Sequence, residues 1–387
     1  MTFNFDLPVN RENTNSVKFD GRQHYFGTAD VSPLWVADMD FAVPECVTRV
    51  LQQRLDHPIF GYSLYPESLY QATIDWFARR HQWHIEREWI VMAPGVVPSL
   101  FAAVHAFARE GEGVIVQSPV YFPFFSAVTT NNRKLLNNPL REINGRYEID
   151  FDHLEICAQQ GARLLMLCTP HNPVGRVWSV DELNQVLAIA RRYNLTILSD
   201  DIHCDLVYPD STHTMLGRLA QPGDKIVTTI APNKTFNIPG LGLSALVIPD
   251  KIQRDAMKKI FETLHVGNSN PFSIAAYEAA YRGGEAWLDA LLQYLKATRD
   301  FATEFIARQL PRIKMTKPEA TYLLWLDCRE LGFNDAALRD FFIHECKLGL
   351  SPGVVFGDGG SGFMRMNIGT TRQSIENALT RIKIHMK

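Results

Sequence analysis

Several things are scarce in this chain, and each scarcity excludes a class of protein. No stretch of its 387 residues approaches the roughly 18 consecutive apolar side chains that a bilayer-spanning helix needs, so a transmembrane segment is not expected. Neither sign of charge prevails: 39 Lys and Arg against 42 Asp and Glu leave −3, with no global pull toward nucleic acid or an anionic membrane. The six cysteines (Cys46, Cys157, Cys168, Cys204, Cys328 and Cys346) form no CxxC pair and no framework spacing. A disulfide scaffold and a metal site are therefore unsupported, and reduced thiols in a cytoplasmic protein are expected. The opening Met1-Thr-Phe-Asn-Phe-Asp-Leu-Pro8 lacks the basic and apolar regions of a signal peptide. Internal repeats and low-complexity tracts are missing too. What remains is a 46% apolar, 21% charged chain, long enough for a large core and two domains.

From Glu88 the sequence alternates strand and helix. Strands are predicted at 89–92, 113–117, 134–137, 164–168, 195–199, 226–230 and 243–248, most of them continuous apolar runs as buried parallel strands should be. Helical spacing fills the gaps, as in 97–109, 180–193 and 252–264. The pattern predicts an α/β fold: a large domain, residues 49–285, with a mostly parallel sheet of about seven strands between helices. Gly283-Gly284 marks a break. A smaller α+β domain is expected from both chain ends, residues 1–48 and 286–387, with a long helix at 286–310 and strands at 322–326 and 363–367.

Ligands of such sheets sit beyond the carboxyl ends of the strands, and the unusual residues fall there. Lys234 follows the strand 226–230 at a turn fixed by Pro232. Ile230, Phe236 and Ile238 would desolvate it and favour a nucleophilic amine, although most loop lysines are merely solvated. Asp200 ends the strand 195–199, where a buried carboxylate needs a cation or donors; a helix cap or structural ion pair is the plainer reading. Asn172 sits in the Pro170-His-Asn-Pro-Val-Gly175 turn, either as a turn former or as an amide aimed into the crevice. Gly95, Val96 and Val97 open a helix whose first amides could hold a phosphate. Tyr121 stands just past the strand 113–117, placed to stack on a planar ring, while Phe122 and Phe124 are expected to pack in the core. One cofactor asks for this whole set, pyridoxal 5′-phosphate (PLP).

In the order Gly95, Tyr121, Asn172-Pro-x-Gly, Asp200-x-x-His203, Lys234, Arg365 the chain resembles the fold-type I PLP enzymes of the class I/II aminotransferase superfamily, over nearly its whole length. Ala37-Asp-Met-Asp-Phe41, Phe60-Gly-Tyr-Ser63, Asn233-Lys-Thr-Phe-Asn237 and Thr321-Tyr-Leu-Leu-Trp-Leu-Asp327 resemble its cystathionine β-lyase and cystalysin-like branch. The resemblance implies that Lys234 bonds the cofactor, Asp200 pairs with its pyridine nitrogen, and Asn172 and His203 lie at its ring hydroxyl. It implies stacking by Tyr121, a phosphate turn of Gly95, Val96 and Val97, and Arg365 on the substrate α-carboxylate. It also implies a homodimer in which Tyr62 reaches the neighbouring subunit's phosphate. Two positions depart from the family pattern, Ala231 for a phosphate-binding serine and Gly242 for an arginine; Thr235, Asn233 or backbone groups are expected to stand in.

With a small amino-acid substrate, two outcomes share these residues: α,β-elimination to pyruvate, ammonia and a thiol, or transamination with a 2-oxo acid. The branch phrases favour elimination, with an aminotransferase as the alternative. A regulator on the same fold is the minor one, since residues 1–45 are too short and insufficiently basic for a DNA-binding segment. The core motifs leave the choice of amino acid and the pathway open.

Overall fold

The computed structural model describes residues 3–267 and 269–386; Met1, Thr2 and Lys387, which fall within the expected small domain, lie outside the described residues. Seven strands form the main sheet: β1 (Ile90–Ala93), β2 (Gly113–Val116), β3 (Lys134–Asn137), β4 (Ala162–Cys168), β5 (Thr196–Asp200), β6 (Ile226–Ile230) and β7 (Ser244–Val247). Their spatial order is β1-β7-β6-β5-β4-β2-β3. Only β7 runs antiparallel to its neighbours. Every residue of β5 and β6 is buried, because helices cover both faces of the sheet.

Register decides where the chemistry lies. Cys168 pairs with Asp200, and Asp200 with Thr229. The ends of β4, β5 and β6 are therefore level, and the loops that leave them, with Asn172, His203 and Lys234, start from one edge. Helix α1 (Val96–Phe107) follows β1 and begins at Gly95, whose side can offer no cap. Lys234 lies in α2 (Pro232–Thr235), one helical turn entered through proline, where the sequence suggested a plain turn.

A second sheet forms beyond the helix α3 (Glu285–Gln309). Its strands are β8 (Lys314–Met315), β9 (Leu323–Asp327), β10 (Ser351–Pro352) and β11 (Phe363–Asn367), all antiparallel in the order β8-β9-β11-β10. Arg365 sits on β11 with Trp325 on one side and Ser351 on the other. The N-terminal arm meets this part of the chain twice: Ser32 pairs with Leu348 in a separate two-stranded sheet, and the Asn367 amide donates to the Leu34 carbonyl. The arm holds a short helix, Arg22–Phe26, where no regular element was expected.

Two further expectations need correction. Phe124 is fully buried, but Phe122 is 51% exposed, its ring 4.9 Å from that of Tyr121, so Phe122 is not a core residue. A hairpin of Arg141–Ile143 and Arg146–Glu148 had no apolar run to announce it; the first strand is exposed throughout, and the second buries Tyr147.

Candidate active site

Asp200 is buried at the end of β5, and only Thr229 Oγ1 and the Ile202 amide donate to it, each at 3.2 Å. Burial, aided by the Asp201 charge, pushes its carboxyl up to about 7. Asp201 turns the other way, accepting from Ser199 Oγ at 2.6 Å and meeting His213 Nε2 at 3.0 Å. His203 is buried with its Nδ1 unpartnered, and burial near Lys234 and Arg365 pulls it down to about 3, a neutral imidazole.

The Lys234 Nζ donates to the Ala37 carbonyl at 2.5 Å. Burial, with Arg365 nearby, lowers its pKa from 10.5 to about 8, against the pull of Asp38 and Asp200. Arg365 donates to Asn172 Oδ1 at 3.1 Å, the Trp35 carbonyl at 2.9 Å and Ser351 Oγ at 3.3 Å. Its Nε has no partner, Phe356 lies 4.8 Å below the guanidinium, and burial draws it down to about 10. Tyr121 lies within electrostatic reach of Arg365 and Asp200, and burial raises its phenol. The structure thus gathers Lys234, Asp200, His203, Asn172, Arg365 and Tyr121 in one crevice between the two sheets.

At Gly95 an added Cβ would meet only the Pro98 ring, at 3.4 and 3.8 Å, so nothing in the polypeptide itself demands glycine there. A Cβ at Gly242 would press on the Pro94 carbonyl at 3.2 Å, which places the loop after Lys234 against the same turn. Ala231 is buried and apolar. Thr235, expected as a stand-in phosphate donor, is committed elsewhere: its Oγ1 donates to Asp205 Oδ2 at 3.1 Å. Tyr62 stands apart from the cluster and is fully exposed.

Sequence reasoning missed several participants. Tyr322 donates its hydroxyl to the same Ala37 carbonyl as Lys234, at 2.8 Å. Thr229 serves Asp200, and Trp35 offers Arg365 a backbone oxygen. Tyr322 lay inside a phrase that had been singled out, but the backbone acceptors carry no side-chain signal at all.

These groups fit PLP. A buried carboxylate with no ion pair among the described residues matches a protonated pyridine nitrogen. A desolvated lysine amine matches an aldehyde. The uncapped α1 amides and the open space at Gly95 match a phosphate. The free Asn172 amide NH2 and neutral His203 suit a ring hydroxyl, while the open Arg365 Nε–H suits a carboxylate.

Comparison with known proteins agrees with this geometry. The family model for aminotransferase class I and II matches residues 29–382. Cystathionine beta-lyase PatB of Bacillus subtilis is 42% identical over 98% of this chain and 99% of that protein. MalY of Escherichia coli is 33% identical over 97% of each. Among solved structures, PLP-containing cystalysin from Treponema denticola superposes with a TM-score of 0.96 at 35% identity, covering 100% of this chain and 99% of that one. The PLP-bound C–S lyase from Staphylococcus hominis gives 0.93 at 32%, covering 100% and 98%. The chain belongs to the aminotransferase class I and II family.

Proposed function

We propose that this protein is a PLP-dependent carbon–sulfur β-lyase that cleaves cystathionine or a related cysteine S-conjugate to pyruvate, ammonia and a thiol. The observation that carries the reading is the intact set Lys234, Asp200 and Arg365 in a chain 42% identical, end to end, to a cystathionine beta-lyase. When bound, PLP supplies the electron sink for charge developing at the substrate Cα. Arg365 holds the α-carboxylate through its open Nε–H and one Nη2 hydrogen, while the other Nη2 hydrogen stays on the Trp35 carbonyl. Lys234, with a pKa near 8, accepts the Cα proton at Nζ. Asp200 stays ionised against the pyridinium and keeps that nitrogen protonated. Breaking of the Cβ–S bond then sends the electron pair out with the thiolate.

Among the charged groups that act on Lys234, His203 and Tyr121, Arg365 is the one guanidinium. The half-exposed Phe122 beside Tyr121 suits a thioether better than a second carboxylate. The deciding experiment incubates the holoenzyme with L-cystathionine and assays pyruvate, against glutamate formed from 2-oxoglutarate. Pyruvate without added oxo acid is expected. Glutamate with no pyruvate from any sulfur amino acid would replace this reading with an aminotransferase.

The remaining assignments belong to the same proposal. Tyr121 stacks on the ring, Gly95, Val96 and Val97 hold the phosphate, and Asn172 and His203 attend the hydroxyl. Residues 49–285 form the large domain, and 1–48 with 286–387 the small one; the pairing of Ser32 with Leu348 supports the joining of the ends. The protein works as a cytoplasmic homodimer in which Tyr62 completes the neighbouring site. Its full exposure, and the free state of all six cysteines, support those two statements.

A further inference from the structure

The phrase Trp35-Val-Ala-Asp-Met-Asp-Phe41 has no role in the reaction as described, yet it is the most heavily bound stretch of backbone near the site. Every carbonyl in it except that of Asp40 accepts from a side chain. Arg365 and Ser351 donate to Trp35, Asn367 to Val36, and Lys234 and Tyr322 to Ala37. Asn367 and Lys18 donate to Asp38, Asn237 and Arg11 to Met39, and Asn237 again to Phe41. The segment is a strap between the two sheets, and the two groups proposed to handle substrate, Arg365 and Lys234, both rest on it.

Its two carboxylates are locked from outside the site. Arg11 makes a bidentate pair with Asp38, at 2.9 and 2.8 Å, and also reaches Asp40 at 2.8 Å. Lys18, fully buried, lies 2.9 Å from Asp40 Oδ1 and 3.8 Å from Asp38 Oδ1. Buried ion pairs of this kind add little net stability over apolar packing, but they tolerate few geometries. An apolar arm would have packed on the same surface without fixing the strap along its length.

We propose that Arg11 and Lys18 are positioning residues: by holding Asp38 and Asp40 they set where the Trp35 and Ala37 carbonyls stand, and so how Arg365 and Lys234 meet an amino-acid substrate. This rests on the reading of the crevice as an amino-acid site, but not on which reaction follows. Removing the Arg11 charge frees the strap. Arg365 then loses the reference that aims its fork, and Asp38 is left partly uncompensated near Lys234. The charged and titratable groups facing Lys234 include Arg365, Asp38, Asp200, His203 and Tyr322, whose hydroxyl shares the Ala37 carbonyl, so a bared Asp38 favours the protonated nitrogen.

The test uses PLP-loaded wild type with Arg11→Met, Arg11→Lys, Lys18→Met and Asp38→Asn. Propionate, a carboxylate with no amine to react, is titrated while the absorbance of the bound cofactor is followed. Arg11→Met is expected to weaken propionate binding about tenfold and to raise KM more than it lowers kcat. It should also move the pH midpoint of the absorbance upward, with Arg11→Lys restoring part of each effect. Unchanged propionate affinity and pH midpoint in Arg11→Met and Lys18→Met would overturn the proposal, whatever their thermal midpoints, and leave the cluster a structural one. Should either fail to fold, Asp38→Asn decides by propionate affinity alone, which should weaken as in Arg11→Met and would overturn the proposal if unchanged; its pH midpoint falls in either case because the anion beside Lys234 is gone. Loss of propionate binding in a variant series whose wild type makes no pyruvate would sink the lyase reading and leave this one standing.

Discussion

Asp200 is the residue whose charge depends most on what lies beside it. Burial lifts its carboxyl from 3.8 to about 7, against the pull of Lys234 and with no ion pair to hold the charge. Between those values the folded, cofactor-free protein holds a proton that the unfolded chain has released. Its stability therefore falls as pH rises from about 4 to about 7, by up to roughly 4 kcal/mol from this residue. Thermal melts of PLP-stripped protein across that window should show the fall. Asp200→Asn, or reloading with PLP, should flatten it; an equal slope in all three would refute the assignment. Lys234→Ala should abolish turnover yet keep some PLP through Asp200 and the α1 amides, and borohydride reduction of wild type followed by peptide mapping should tag Lys234. Arg365→Ala should act mainly on KM, since a bidentate, buried charge pair with the substrate is lost, on the order of 2–4 kcal/mol.

At the scale of elements, α2 is too short to persist by itself, because a single turn cannot repay helix nucleation. It is held from outside: Thr235 Oγ1 donates to Asp205, which also takes the Trp76 indole and His81 Nε2 at 2.7 Å, and Asn237 bonds Met39 and Phe41. Thr235→Val leaves Asp205 a donor short in a buried place. It should cost about 1–3 kcal/mol in thermal unfolding and lower kcat by shifting Lys234, with Thr235→Ser restoring both. A variant as stable as wild type but equally slow would point to direct contact between Thr235 and the ligand instead. This support also shows what could be read in advance. Strands β4, β5 and β6 were visible as continuous apolar runs, and polar residues at or just past their ends marked Asn172, Asp200 and Lys234. The strap was visible only as a phrase. Its partners lie up to 331 positions away, and their acceptors are carbonyls that every residue carries. Phe122 was misread for a related reason: an aromatic past a strand end gives no sign of which side of the edge it faces.

For the whole molecule, one run of exposed apolar residues lies where the family resemblance implies a partner. Ile59, Phe60, Tyr62 and Leu64 are between 55% and 103% exposed, in a segment with no regular structure. Beside it a groove of about 700 Å³ runs between the helices Glu45–Leu55 and Pro271–Gly283, lined by Leu64, Pro66 and Ile274 among others. Such a patch is costly on a monomer, and a second copy related by a two-fold axis would cover it twice over. The shared-site proposal makes a sharper demand than dimerisation alone. If Tyr62 serves the partner's phosphate, Lys234→Ala and Tyr62→Ala proteins are each impaired for a different reason, and a mixed dimer contains one site carrying both defects and one carrying neither. After unfolding and refolding an equal mixture, half the dimers are mixed, so about one quarter of all sites should regain wild-type turnover. Each variant refolded alone supplies the baseline. Activity that never exceeds the average of the two baselines would mean that each subunit builds its site alone, and Tyr62 would then be only part of the contact surface.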